Sequence, residues 1–189
     1  MSNKKGVILS DAAFTVRFCG ELRTHFEAKT GRALAAFDFA ELPPLLALCA
    51  DRSETTDYSV VYVYDAADRV SHPTIPGSPD ELLDGVAFLD QMGEFAFSAI
   101  SNERMVAVDE MFVQVLADVY VDNESIDVLI TLGDCRTQDE RICDVLKAVK
   151  CTDVVNFSLN SSPADAKYVT GNLVYPFAMM LGLSADELE

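Results

Sequence analysis

The sequence predicts an α/β protein, a three-layer α/β/α sandwich with a mainly parallel sheet of about five strands. Short apolar runs rich in branched residues alternate along the chain with longer segments whose apolar residues recur every three or four positions. The run IDVLITL at 126–132 is the most hydrophobic of them, which is typical of a central strand in a parallel sheet. Because 189 residues suffice for one well-buried core and are few for two, we expect a single domain over 1–189.

The first predicted elements are a strand and two helices. The strand covers GVILSD at 6–11, and a helix follows it directly. A second helix is indicated because Asp38 and Glu41 have the spacing of a capping box and Pro43 falls in the first turn, where proline is tolerated. The apolar residues of the first helix recur at every fourth position: Phe14, Phe18, Leu22 and Phe26.

The next segment predicts a strand and a third helix. YSVVYVYD at 58–65 is rich in β-branched and aromatic residues, as strands are. Ser78 is then followed by proline and two acidic residues, the pattern of a capped helix start, so we expect a helix over about 79–92. Gly93 is placed to end that helix.

The second half of the chain continues the alternation. EFAFSAI at 94–100 alternates as a strand does, and a helix with a single apolar stripe begins near Asp109. After the strand at 126–132, a capping box predicts a helix to about Lys150. DVVNFSL at 153–159 predicts a last strand, and a C-terminal helix is expected from Ser162-Pro163 to about Leu181.

The charge composition limits the classes of partner. The chain has 31 acidic and 14 basic residues and a formal net charge of −17, which disfavours nucleic acid because phosphate binding needs clustered Lys and Arg. We therefore expect a protein partner or a homo-oligomer.

The sequence predicts no membrane span and no signal peptide, since the apolar run at 7–9 is far too short for either. Five widely spaced cysteines without a CxxC pair suit a reducing compartment, so a cytoplasmic protein is expected.

Aspartates follow three of the predicted strands at the points where the strands end. These are Asp11, Asp65 and Asp134, and Asp109 at a helix start could face the same crevice beyond the sheet. Carboxylates brought together there favour a hard cation such as Mg²⁺ or Mn²⁺, which could activate water against a phosphodiester. The alternative is structural, because aspartate is also common at strand-to-helix turns, where it caps backbone N–H groups.

Six stretches, in their order along most of the chain, resemble the NYN branch of PIN-like nuclease domains: VILSDAAF, VVYVYDA, FLDQMGEFAFSAI, VAVDEMFVQVLADVY, IDVLITLGDC and DVVNFSL. The resemblance implies a Rossmann-like fold and a catalytic metal held by Asp11, Asp109 and Asp134. It departs from the family where Arg136 replaces the second aspartate of the S-G-D-x-D-F loop. An arginine there brings positive charge to a cation site, which favours a descendant that kept the fold and lost the metal.

A second resemblance covers nearly the whole chain. The stretches ILSDAAF, HFEAKTGRALA, VAFLDQMGEFAFS and MLGLSADELE are similar to the shared pattern of an uncharacterised family of about this length from Bacteroides and relatives. This resemblance implies no activity. It agrees with a cytoplasmic protein whose chemistry has to be argued from its own residues.

The sequence leaves three functions open. The first is a catalytically degenerate PIN-like domain that acts as a binding or assembly module, with a surface patch rich in Phe, Tyr and Met as its interface. The second is a Mg²⁺- or Mn²⁺-dependent ribonuclease or phosphoesterase in which Asp11, Asp109 and Asp134 hold the metal. Arg136 would then bind the scissile phosphate, and Asp65 would add an outer-shell contact. The third is a small-molecule binding domain that uses the same crevice.

Overall fold

The structure is a computed structural model that describes residues 3–37, 40–50, 55–64, 86–89, 93–101, 106, 108–123, 125–133, 148, 151, 153–157, 168–170 and 174–188. The strands are β1 (Lys4–Asp11), β2 (Thr56–Tyr64), β3 (Val86–Leu89), β4 (Gly93–Ser101), β5 (Val128–Leu132), β6 (Asp153–Phe157) and β7 (Tyr168–Thr170). The helices are α1 (Ala12–Thr30), α2 (Leu42–Cys49), α3 (Val108–Asn123), α4 (Val174–Met180) and α5 (Ala185–Leu188).

All seven described strands belong to one sheet, in the order β3-β4-β2-β1-β5-β6-β7. Every neighbouring pair is parallel except β3 and β4, which are antiparallel. The predicted α/β class with a mainly parallel sheet is therefore confirmed. Numbered in chain order, the six parallel strands follow the sequence 3-2-1-4-5-6 across the sheet, which is the doubly wound order that reverses direction between β1 and β5.

Apolar cores lie against both faces of the sheet. Alternate residues of β1 point to opposite faces, so Ile8 belongs to one core and Leu9 to the other. The first core includes residues of α1, α2 and α4, and the second includes the buried side of α3. This division follows from right-handed crossovers, because the β1–β2 and β4–β5 connections run in opposite directions across the sheet.

Helix α1 follows β1 without an intervening loop. Asp11 is its N-cap, and Gly31 ends it in the left-handed conformation, with a φ of 68° and an N–H that donates to the carbonyl of Glu27. The predicted apolar stripe is confirmed, because Phe14 and Phe26 are buried while two further members pack partly buried against the same core. Those two residues are Phe18 and Leu22.

Helix α2 starts later than the capping box predicted. Its first residue is Leu42, and Glu41 is the N-cap without a side-chain cap bond, whereas Asp38 lies outside the described residues. The physical reason is local. A capping side chain bonds the N–H of the second or third helical residue, and here those residues are Pro43 and Pro44, which have no N–H group to bond.

Two predicted helices were wrong in part, because edge pairing overrides local helix signals. Residues 86–89 of the predicted 79–92 helix form β3, an edge strand antiparallel to β4. Residues 168–170 of the predicted C-terminal helix form β7, which pairs with β6, and helix α4 begins only at Val174. Both strands are rich in β-branched and aromatic residues, which gain most from pairing on a pleated surface. With these two strands, the described part of the sheet has seven strands, whereas about five were predicted.

The other predicted elements agree with the described residues. The strands near 58–65, 94–100, 126–132 and 153–159 correspond to β2, β4, β5 and β6, and the helix expected near Asp109 is α3. The helix expected to end near Lys150 lies outside the described residues except for residue 148, which is helical. In the part of the chain that the structure describes, no helix is both long and apolar enough to cross a membrane.

Candidate functional site

The first candidate site is the crevice at the carboxyl ends of β1 and β5, where the strand order reverses. In open α/β sheets this is the place at which ligands bind. The parallel register pairs Ser10 with Leu132, so Asp11 stands level with Gly133 at the end of the neighbouring strand. The N–H of Gly133 donates to the carbonyl of Phe157 at 3.3 Å, which ties this end of β5 to β6.

Asp11 is held tightly at this edge. One carboxylate oxygen accepts the N–H of Phe14 at 3.0 Å, and the backbone carbonyl of Asp11 accepts the hydroxyl of Thr15 at 2.6 Å. That hydroxyl also lies 2.9 Å from the hydroxyl of Ser10, and both of these side chains are fully buried. In the structure Asp11 acts as the N-cap of α1 through its bond to Phe14.

The local geometry argues against phosphate binding at the start of α1. Dinucleotide-binding sheets place a glycine-rich turn between the first strand and its helix, so that backbone N–H groups can bind a pyrophosphate. Here β1 ends at Asp11 and α1 begins at Ala12, which is fully buried. The carboxylate of Asp11 takes the place a phosphate would need, so the start of α1 does not favour an anion.

The remaining sequence-predicted site residues are only partly located. Asp109 is the second residue of α3, the helix that follows the carboxyl end of β4, whereas Asp65, Asp134 and Arg136 lie outside the described residues. Among the residues that are described, no group of three His, Cys, Asp or Glu side chains is arranged to hold a metal ion. The structure thus brings Asp11 level with Gly133 but does not test the predicted metal set.

The second candidate site is an exposed apolar surface on α2 and α4, two helices that pack against each other. We call it the α2–α4 surface and define it by Leu48, Tyr175 and Met179, whose exposed fractions are 51, 51 and 43%. Neither helix contains a charged residue, although 24% of the chain is charged. Large apolar side chains exposed on two neighbouring uncharged helices make these helices a candidate interaction surface.

Helix α4 is firmly anchored from its inner side. Phe177 and Ala178 are fully buried, and the ring of Phe18 meets the ring of Phe177 edge to face at 4.9 Å. Just after the helix, the carbonyl of Leu181 accepts the N–H of Ala35 at 3.3 Å. Tyr175 and Met179 are therefore exposed on a helix whose inner side is firmly packed against the core.

A polar clasp fixes the chain that follows α4. Arg32 donates to both carboxylate oxygens of Glu187, at 2.9 and 3.1 Å, and to the carbonyl of Gly182. The backbone N–H and hydroxyl of Ser184 also donate to Glu187. The Ser184 N–H, Arg32 and the Ser184 hydroxyl, in that order, lower the pKa of Glu187 to about 2. The clasp holds α5 against the end of α1.

Two of the described cysteines are poor candidates for a nucleophile. Burial raises the pKa of Cys19 to about 12, and mainly burial raises that of Cys151 to about 11. Only the thiolate attacks, so both side chains are unreactive at neutral pH. Cys19, Cys49 and Cys151 are free thiols.

The location of the α2–α4 surface was not predicted from the sequence. The expected interface rich in Phe, Tyr and Met stays a prediction; in α4, Tyr175 and Met179 are exposed, whereas Phe177 faces the core. A signal was available, because LPPLLALC and VYPFAMM are uncharged segments in a highly charged chain. Which of their side chains face outward depends on tertiary packing.

Comparison with known proteins places the chain in a family without assigning it a reaction. A family model described as a family of unknown function, DUF6621, matches residues 1–188. Neither the comparison with curated proteins nor that with solved structures gave a match. The function of the chain has to be inferred from the two candidate sites.

Proposed function

The chain belongs to DUF6621, a family of unknown function, and we propose that it is an intracellular protein-binding or assembly module formed by a single α/β domain. The observation that carries this proposal is the α2–α4 surface. Two packed helices without a charged residue expose Leu48, Tyr175 and Met179, whereas their inner sides are buried. A helix pair that served only the core would place charged or polar residues on its outer side.

The proposal includes loss of catalysis in a PIN-like ancestor. What supports this part is the use of Asp11 as a helix cap and the arginine at position 136, which carries positive charge where the resembling nucleases have a second aspartate. A net charge of −17 further weakens attraction to a nucleic-acid substrate. The fold then serves as a scaffold for the α2–α4 surface.

The proposal is tested by the size of the native complex. Size-exclusion chromatography of extract from the native host, with detection by antibody, should show the wild-type chain well above its monomer mass. Met179→Glu should return it to the monomer position, because a charge would enter an apolar contact. Val121→Glu is the matched control, since Val121 is 76% exposed on α3, outside the surface. A monomeric wild type, or equal disruption by both substitutions, would contradict the proposal.

A metal-dependent nuclease or phosphoesterase is the second candidate. It is favoured by one observation, the placement of Asp11 beside the end of β5 at the reversal point of the sheet. In this alternative Asp11, Asp109 and Asp134 hold Mg²⁺ or Mn²⁺, Arg136 binds the phosphate and Asp65 adds an outer-shell contact.

Thermal unfolding with Mg²⁺ and Mn²⁺ separates the two candidates. A metal at about 100 times its dissociation constant adds roughly 2.7 kcal/mol to the free energy of unfolding, a shift of a few degrees for a domain of this size. If the chain is a metal-dependent enzyme, the metal should raise the unfolding temperature of the wild type but not that of Asp11→Asn or Asp134→Asn. The module proposal expects the three proteins to respond alike.

A further inference from the structure

We propose that residues 184–188 form a strap that opens while the rest of the domain stays folded, and that its opening uncovers the guanidinium group of Arg32. We call these residues the α5 strap, because they comprise α5 and the residue before it, Ser184. The strap shares no residue with the α2–α4 surface, so its opening is independent of the proposed function.

The chain is fixed by α4 and the core as far as Leu183, which is 7% exposed. Gly182 has a φ of 73°, and its N–H donates to the carbonyl of Met179 at 3.0 Å. The N–H of Leu183 donates to the carbonyl of Ala178 at 2.9 Å. These two bonds form the Schellman pattern, in which a glycine in the left-handed conformation ends a helix. Ser184 is therefore the first residue beyond the part of the chain that α4 holds.

Beyond that point the strap is held mainly through Glu187. None of the residues of α5 is buried, although Leu188 packs partly buried against the first core. In the described part of the chain, the bonds from α1 and the segment after it end on Glu187. Arg32 donates to its carboxylate, and the ammonium group of Lys29 donates to its carbonyl at 3.4 Å. The Arg32 and Glu187 side chains are 45 and 30% exposed. A bidentate pair of this kind closes the strap, but it is far weaker than the buried packing that holds α4.

The same carboxylate also caps α5. The N–H and the hydroxyl of Ser184 donate to Glu187 at 2.9 and 3.0 Å, and the N–H of Glu187 donates to the carbonyl of Ser184 at 3.1 Å. A helix of four residues is not stable in water by itself. When the carboxylate leaves Arg32, the helix and its cap are therefore lost together, and the strap opens as one unit.

Amide hydrogen exchange followed by NMR tests this opening. The N–H groups of Ser184 and Leu183 are adjacent but lie on opposite sides of the proposed boundary. In the wild type, Ser184 should be protected, yet at least about tenfold less than Leu183 after correction for intrinsic rates. Urea below the unfolding transition should not speed exchange at Ser184, because a local opening exposes little surface. Equal protection and an equal urea response at both residues would overturn the proposal, as would an unprotected Ser184.

Two arginine substitutions test whether the clasp closes the strap. Arg32→Ala removes the docking partner but leaves the Glu187 carboxylate as an acceptor for the N–H of Ser184. It should lower the protection of Ser184 by at least about fivefold, with Leu183 still the better protected residue. Arg17→Ala is the matched control, because Arg17 is exposed on α1 outside the clasp, and it should change the protection of Ser184 by less than about twofold. Circular dichroism verifies that both variants are folded, and equal effects would overturn the proposal.

Arginine labelling tests whether opening uncovers Arg32. Phenylglyoxal modifies accessible guanidinium groups, and peptide mass spectrometry gives the rate at each position. Glu187→Ala should speed the modification of Arg32 by at least about fivefold, whereas Asp186→Ala in the same helix should change it by less than about twofold. Arg23 is the internal reference, since Glu27 accepts its Nε–H at 3.0 Å in α1. An unchanged rate at Arg32 in Glu187→Ala, or equal effects of the two substitutions, would overturn the proposal.

Discussion

Two glycine-to-alanine substitutions should change the stability of this protein in opposite directions. Gly6 lies in β1 opposite Tyr58, and a Cβ at Gly6 would stand 2.5 Å from two ring carbons of Tyr58 and 2.9 Å from a methyl group of Thr56. The ring cannot withdraw easily, because it is buried and stacks on Phe95 with centroids 5.2 Å apart. Overpacking of this kind costs about 1–3 kcal/mol, so Gly6→Ala should lower the free energy of unfolding by that amount.

Gly20→Ala is the matched comparison. Gly20 is exposed in the middle of α1, and among the described residues nothing outside the local helix lies within 4 Å of its built Cβ. Alanine is favoured over glycine in a helix interior by about 0.5–1 kcal/mol, so this substitution should stabilise the protein.

Urea unfolding of the wild type and both variants measures the two changes in the free energy of unfolding, provided that the slopes of that free energy against urea concentration agree. In a Tyr58→Leu background, which removes the ring carbons, Gly6→Ala should cost clearly less than it does alone. A neutral or stabilising Gly6→Ala, or an unchanged cost in that background, would refute the packing described for β1 and β2.

Three further predictions follow from single contacts. Asp11→Ala should cost about 1 kcal/mol of stability by removing the cap of α1, whereas Asp11→Asn keeps an acceptor and should cost less, as chemical denaturation would show. Glu187→Gln should destabilise the protein at pH 7, and the difference from wild type should shrink as the pH falls from about 4.5 to about 2. Folding lowers the pKa of Glu187, so the stability that its carboxylate contributes is fully present above about pH 4.5 and is lost as the pH falls to about 2. Asp186→Asn is the control. Cys19, whose pKa burial raises to about 12, should resist thiol reagents at pH 8 until the protein unfolds, which peptide mass spectrometry of labelled samples can check.

The parts of the fold that could be predicted from sequence are those that depend on local periodicity. The apolar stripe of α1 and the apolar run of β5 are set by the local sequence pattern, and both are present in the structure. The edge strands β3 and β7 could not be predicted in this way, because their conformation depends on pairing with β4 and β6, which are separate segments of chain. Local helix signals at Ser78 and Ser162 therefore gave the wrong conformation for part of each segment.

The candidate sites were predictable to different degrees. Sequence correctly placed Asp11 at a strand end, but the same residue type suits both a metal ligand and a helix cap, so only its bond to Phe14 reveals the role the structure gives it. The α2–α4 surface was visible as uncharged sequence. The sequence did not show which side chains of α4 face outward, since Phe177 and Met179 differ in burial although both are apolar residues of this short helix.

Site-specific photo-crosslinking in the native host tests most directly whether the α2–α4 surface binds a protein partner. A benzophenone amino acid would replace Tyr175 on the α2–α4 surface or, in a second strain, Val121 on α3. We expect a discrete protein adduct after irradiation at position 175 and a much weaker one at position 121. Efficient incorporation with no adduct at position 175, or the same adduct in equal yield at both positions, would contradict it.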